Sequence, residues 1–141
     1  NPDENGVAEA MKLALKDANI SPETISYINA HGTGTRLNDP LECRAIHHVF
    51  GDRSTMLPVS SSKSFFGHAM GASSALEALT TLLAVQNYCV PPTLNCDNLD
   101  PECGIDPVPN NSRKVQIDMA LSNSFAFGGS NAVLVFRKWK L

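Results

Sequence analysis

Helical and extended stretches alternate along this chain, and the extended ones run into loops rich in glycine and small polar residues. Apolar positions Val7, Ala10, Met11, Ala14, Leu15 and Ala18 recur at helical spacing over 7–19. Ser21-Pro22 opens a short helical turn, and ISYINA at 25–30 reads as a buried strand. Asp39-Pro40 and Gly51 bracket a helix over 40–49. LPVSSSK at 57–63 is a short strand entering a loop. Residues 69–87 form the strongest helix. Its period is marked by Ala72, Ala75, Leu76, Leu79, Leu82, Leu83 and Gln86, and its small residues suit close packing on a neighbour. Residues 91–112 hold most of the prolines and asparagines and read as one long ordered loop. VQIDMALSNSF and NAVLVFRKW are strands expected to pair antiparallel across the turn AFGGS. The order α-β-α-β-α-β-β predicts a single layered α/β domain over 1–141.

Composition narrows the function. The chain has 141 residues, 43% hydrophobic and 18% charged, enough for one small core. Its net charge is −3, and no Lys/Arg run exceeds two residues, which argues against a nucleic-acid partner. No apolar run approaches the roughly 20 residues of a membrane span. No signal peptide is visible, and the start NPDENG reads like the middle of a longer protein. Cys43, Cys89, Cys96 and Cys103 lack CxxC spacing, so no zinc site is expected. Cys96 and Cys103 share one loop and could pair in an oxidising compartment. Free thiols in a reducing one are the favoured reading.

Three loops carry the candidate chemistry: 31–39, 60–68 and 123–131. Such loops at strand ends are where α/β sites collect. His31-Gly32-Thr33-Gly34-Thr35 places a histidine where glycines permit close approach of a ligand. No GKS or GKT follows, so it is not a P-loop. Lys63-Ser64-Phe65-Phe66-Gly67-His68 places a second histidine just before the long helix, whose positive end disfavours imidazolium. In Asn123-Ser124-Phe125-Ala126-Phe127-Gly128-Gly129-Ser130-Asn131 the glycines let backbone N–H groups face a ligand, as an oxyanion hole requires. Each loop alone also has an ordinary explanation: a hydrogen-bonded turn, a capping histidine, a hairpin with packed aromatics. Asp39, Glu42 and Glu77 would by default be exposed helix acids. Glu77, however, sits in a very apolar helix; if buried it needs a cation, and Lys63 is the candidate.

Taken together, HGTGT, KSFFGH and NSFAFGG, with NDPLE after the first and VPPTLN after the second, resemble the β-ketoacyl-acyl-carrier-protein synthase family over essentially the whole chain. The resemblance implies the thiolase fold, here its C-terminal lobe, a layered α/β structure with a mixed sheet. It implies that His31 and His68 are the catalytic histidines that bind the malonyl thioester carbonyl and promote loss of CO₂, with Lys63 supporting them. Asp39, Glu42 and Glu77 match acids of the surrounding polar network, and Thr33 and Thr35 match hydroxyls of the phosphopantetheine channel. Phe127, followed by Gly128, matches the gating phenylalanine whose N–H helps form the oxyanion hole. Ala126 departs from the family, where glycine is usual, and is expected to restrict that gate.

The family's cysteine nucleophile lies at a strand-to-helix elbow in the N-terminal half, and none of the four cysteines here occupies such a place. The resemblance therefore implies part of a synthase, inactive alone, that condenses malonyl-carrier protein with an acyl-cysteine in fatty-acid elongation. A polyketide-type ketosynthase shares the three motifs. A non-catalytic chain-length-determining partner would typically have lost catalytic residues that this chain retains. A thiolase would carry a second cysteine near the C-terminus, and none follows Ser122. No cofactor or metal is expected, since the substrates ride on the phosphopantetheine of acyl carrier protein. Implied partners are that acidic protein, the N-terminal lobe, and a second copy when full length. Arg36, Arg44, Arg53, Arg113 and Lys114 are available for carrier docking. The expected location is the cytoplasm or an organelle. An isolated lobe should expose the surface meant for its partner, with the helix at 69–87 and Phe125 or Phe127 as candidates.

Overall fold

The computed structural model describes residues 3–139. Helix α1 spans Glu4–Asp17, three residues earlier at its start than the apolar period suggests, because the Asp3 carboxylate accepts from the N–H of Asn5 and Gly6 (3.1 and 3.3 Å). It ends before 19, where Asn19 turns left-handed (φ 52°). A 3₁₀ turn at Pro22–Thr24 leads into β1, Tyr27–Asn29. Helix α2 spans Asn38–Phe50 and stops at Gly51 (φ 56°). Its start is capped differently from expectation: the Thr35 hydroxyl, not Asp39, accepts from the Asn38 N–H (3.2 Å).

Strand β2 is short, Val59–Ser60, and α3 is a single turn, Lys63–Phe66. A 3₁₀ turn at Met70–Ala72 precedes α4, Ser73–Asn87. Strand β3 (Cys89–Val90) pairs antiparallel with β4 (Arg113–Lys114) in a two-stranded ribbon. That ribbon delays the strand expected from residue 115, so β5 spans Met119–Phe125 and pairs antiparallel with β6, Asn131–Arg137. The main sheet has the order β2-β1-β5-β6, with β1 parallel to both β2 and β5. It is the mixed sheet expected. The segment 91–112 is ordered against it: Val59 N–H donates to Asp106 O (2.8 Å), and Ser61 N–H to the Thr93 hydroxyl (3.1 Å).

Strand alternation divides the sheet into two faces. Ile28 and Leu121 pack with Val7, Met11 and Leu15 of α1 and Ala45 and Ile46 of α2. Tyr27 and Ala120 pack with Ala84 and Val85 of α4. Helix α4 keeps the expected helical period and, as expected, exposes an apolar surface: Leu79, Leu82 and Leu83 are each about half exposed. The buried face carries Ser73, Glu77, Thr81, Ala84 and Val85. Polar side chains point into the protein and leucines point out of it.

This inversion sets an expectation for stability. Met11→Ala, at a fully buried site, should lower the unfolding free energy by about 2–5 kcal/mol. Leu79→Ala, on the outer face of α4, should cost less than about 1 kcal/mol. Urea denaturation of the two variants separates the cases, and equal losses would contradict the face assignment.

Candidate active site

The C-terminal ends of β1, β2 and β5 converge, and the three expected loops leave from there. His31 follows β1 and is buried. His68, at the exposed rim between α3 and α4, brings its ring to 5.8 Å from that of His31, edge to face. The two histidines, 37 positions apart in sequence, thus form one pair.

Their hydrogen bonds determine their tautomers. Met70 N–H donates to His68 Nδ1 (3.1 Å), with the Ser73 hydroxyl beside it at 3.0 Å. The Lys63 ammonium lies 3.3 Å from His31 Nδ1. An ammonium has no lone pair, so Nδ1 accepts. In each ring Nδ1 is the acceptor, and the N–H left to donate is Nε2. Burial, the Lys63 charge and His68, in that order, hold His31 down at about 4, so its ring is neutral at physiological pH.

Lys63 is the centre of the buried polar cluster. Its ammonium donates to His31 O (2.6 Å) and forms an ion pair with the Glu77 carboxylate of α4. Burial raises the Glu77 carboxyl and the Lys63 contact pulls it back. Glu42, on α2, performs a second function. Its carboxylate accepts from the N–H of His31 and Gly32 (2.9 Å each) and from Asn123 Nδ2 (3.1 Å), anchoring the histidine loop to α2 and β5. Burial raises its carboxyl as well, against these hydrogen bonds. Gly32 is required here: its φ is +42°, and a Cβ would stand 2.5 Å from Ser61 Cβ.

Other expected site residues are placed less centrally. Asp39 accepts from Gly34 N–H and Asn38 Nδ2 (3.1 Å each), so it braces the turn and makes no bond to the histidines. Thr33 and Thr35 share a hydrogen bond (3.0 Å). Thr33 lines a cavity of about 420 Å³ between α2 and the 91–112 segment; Thr35 does not. Phe127 is 95% exposed, and Gly128, beside it, has φ 81°. The aromatic that reaches the pair is Phe125, 5.3 Å from the His31 ring. Ala126 is extended (φ −131°, ψ 164°), a conformation alanine adopts without strain, and its N–H donates to Ser130 O (2.9 Å). Among the basic residues, Arg44 pairs with Glu4, Arg53 donates to the carbonyls of Pro22 and Ile25, and Arg113 pairs with Asp106.

Several polar residues of the site were not singled out from sequence. Asn29, fully buried in β1, donates through Nδ2 to Ser62 Oγ (2.8 Å), Glu77 O (3.1 Å) and Thr81 Oγ1 (3.2 Å). Asn123 is the amide that meets Glu42. A signal for both existed: an asparagine inside an apolar strand is buried with partners or not at all. Ser73, Glu77 and Thr81 recur at intervals of four, a polar stripe on α4 that the leucines obscured.

The buried pair should be more costly to break than to replace. Lys63→Met leaves Glu77 without its cation and should destabilise by about 3–5 kcal/mol, whereas Lys63→Met with Glu77→Leu should recover most of that loss. Guanidinium denaturation of both variants gives the comparison, and a double variant no better than the single would refute it.

Residues 1–97 match the family described as beta-ketoacyl synthase, C-terminal domain. The 3-oxoacyl-[acyl-carrier-protein] synthase 2 of Synechocystis is 49% identical over 99% of this chain, which corresponds to 33% of that protein. The solved ishigamide ketosynthase/chain length factor superposes with a TM-score of 0.95 at 42% identity, over 99% of this chain and 34% of its own. A type II polyketide acyl-carrier protein in complex with its ketosynthase superposes at 0.94 with 38% identity, over 99% and 35%. The chain thus spans about a third of the length of these relatives, and its fold is the thiolase-like α/β fold of the ketosynthases. With its histidine pair and its mixed sheet accounted for, this chain belongs to the β-ketoacyl synthase family and resembles it through the C-terminal domain.

Proposed function

We propose that this chain is the histidine-bearing part of a 3-oxoacyl-[acyl-carrier-protein] synthase and catalyses the decarboxylative half of a Claisen condensation. The observation that supports this most directly is the pair His31 and His68, in contact and each left with an Nε2–H donor. Loss of CO₂ from a malonyl thioester leaves an enolate, whose oxygen is stabilised by fixed N–H donors. Neutral imidazoles suit this work, because a ring already neutral donates without first releasing a proton. Lys63 positions His31 and holds its tautomer; Glu42 fixes the loop that carries it.

The resulting carbanion equivalent attacks an acyl thioester, so a cysteine nucleophile is required. Cys43 is buried in α2, Cys89 begins β3, and Cys96 and Cys103 sit in the 91–112 segment. We place the nucleophile in the other part of the synthase, and this chain alone would not transfer acyl groups. Phe127, exposed beside Gly128, would gate the pocket and lend its N–H to an oxyanion hole, while the Phe125 ring lies against His31. Thr33 would border the phosphopantetheine path. No cofactor of the chain's own enters the reading, since the substrates arrive on carrier protein, as in the related complex of a ketosynthase with its acyl-carrier protein. Fatty-acid elongation is favoured by the similarity to 3-oxoacyl-[acyl-carrier-protein] synthase 2. The likeness to ketosynthase/chain length factor structures supports polyketide synthesis as a second reading. The retained histidines and Lys63 argue against a non-catalytic subunit. We place the synthase in the cytoplasm or an organelle; among the described residues no helix is long and apolar enough to cross a membrane.

The outer face of α4, with Leu79, Leu82 and Leu83, and the half-exposed Leu134 of β6 would meet the N-terminal lobe. The full-length protein would form a homodimer.

Two measurements test this reading. In the full-length synthase, His68→Ala should cut malonyl-carrier decarboxylation by about 10²–10³-fold while acyl loading of the nucleophile stays near wild type. Equal loss of both activities would place His68 outside the decarboxylation step. Sedimentation of the isolated chain should show self-association through the α4 face, relieved in Leu79→Glu/Leu83→Glu with its melting temperature preserved. A monomeric wild-type chain would remove α4 as the lobe interface.

A further inference from the structure

Three of the four cysteines line the cavity between α2 and the 91–112 segment: Cys43, Cys96 and Cys103. All are free. Proximity in sequence makes Cys96 the natural partner of Cys103, but the fold brings a different thiol to it. His47 lies one turn beyond Cys43 on α2, and its Nε2 bonds to the Cys103 carbonyl at 2.9 Å. The Ser54 hydroxyl holds the other side of that ring. A Cβ on Gly104 would stand 3.2 Å from the same Nε2, so the backbone at 103–104 rests directly on α2. Cys43, one turn before His47 on α2, therefore lies on the stretch of helix against which the Cys103 backbone rests, and both residues line the same cavity.

We propose that Cys43 and Cys103 form a dithiol that exchanges with small aliphatic disulfides and closes into an intramolecular disulfide between α2 and the 91–112 segment. The chemistry balances in two exchanges. The Cys103 thiolate attacks one sulfur of the reagent, making a mixed disulfide and releasing one small thiolate. The Cys43 thiolate then attacks Cys103 Sγ and releases the second. The protein loses two electrons and two protons; the reagent ends as two thiols. Burial raises both thiols. Cys103 is also the more exposed of the two, so exchange begins there. The resulting bond lies one residue from Glu42, which fixes the N–H groups of His31 and Gly32. It would couple the thiol state of the cavity wall to the loop that carries the histidine.

The test uses the 141-residue chain and oxidised glutathione, followed by alkylation, proteolysis and mass mapping. The expected product has lost the mass of two hydrogens and yields a peptide linking Cys43 to Cys103, while Cys89 and Cys96 remain open to alkylation. The rate should rise with pH, because the thiolate is the attacking species. Cys43→Ser should stop at a glutathione adduct on Cys103. Mapping of the wild-type chain is decisive without the variant. A peptide linking Cys96 to Cys103, a wild-type product halted at the Cys103 adduct, or an unreactive Cys103 would each overturn the proposal.

Discussion

One buried ammonium joins the elements that hold the histidine pair. Lys63 reaches from the start of α3 to the carbonyl of His31 after β1 and to Glu77 on α4. Placing an ion pair where both side chains are almost fully buried is costly, and a well-packed apolar replacement often does no worse for stability. What the pair supplies here is position. The ammonium can only donate, so His31 Nδ1 must accept. One charged group thereby decides which nitrogen of a distant ring carries the proton.

Glu42 works by the complementary rule. A carboxylate only accepts, and its two oxygens take the N–H groups that the end of β1 would otherwise leave without partners. Asn123 adds a third donor from β5. The histidine loop is therefore held from α2 and β5 through Glu42, and from α3 and α4 through Lys63. Both carboxyls stay raised by burial, with their donors offsetting part of that rise.

Helix α4 serves two surfaces. Its inner stripe, Ser73, Glu77 and Thr81, completes the polar cluster, while Leu79, Leu82 and Leu83 remain exposed. A helix that turns its polar stripe inward contradicts the usual amphipathic rule. That rule assumes one apolar surface to bury against. On the function proposed above, the leucines are a second apolar surface that meets the N-terminal lobe. Sequence periodicity detected the helix and its spacing, but not which side faced the sheet: a hydrophobic stripe records that a face is to be buried and carries no label for the surface that buries it.

Apart from the two-residue ribbon of β3 and β4, the element order, the antiparallel hairpin of β5 and β6 and the three loops at strand ends were legible from local patterns, because period, turn residues and caps act within a few positions of the chain. So were His31, Lys63 and His68, through the motifs that carry them. Tertiary structure alone decided that Asn29 and Asn123 belong to the site, that Phe125 rather than Phe127 lies on His31, and that the Cys103 backbone rests on α2 at His47. Each of these depends on which strand neighbours which, and on whether a side chain falls above or below the sheet. One residue of register reverses that second choice, and only closure of the whole sheet determines it.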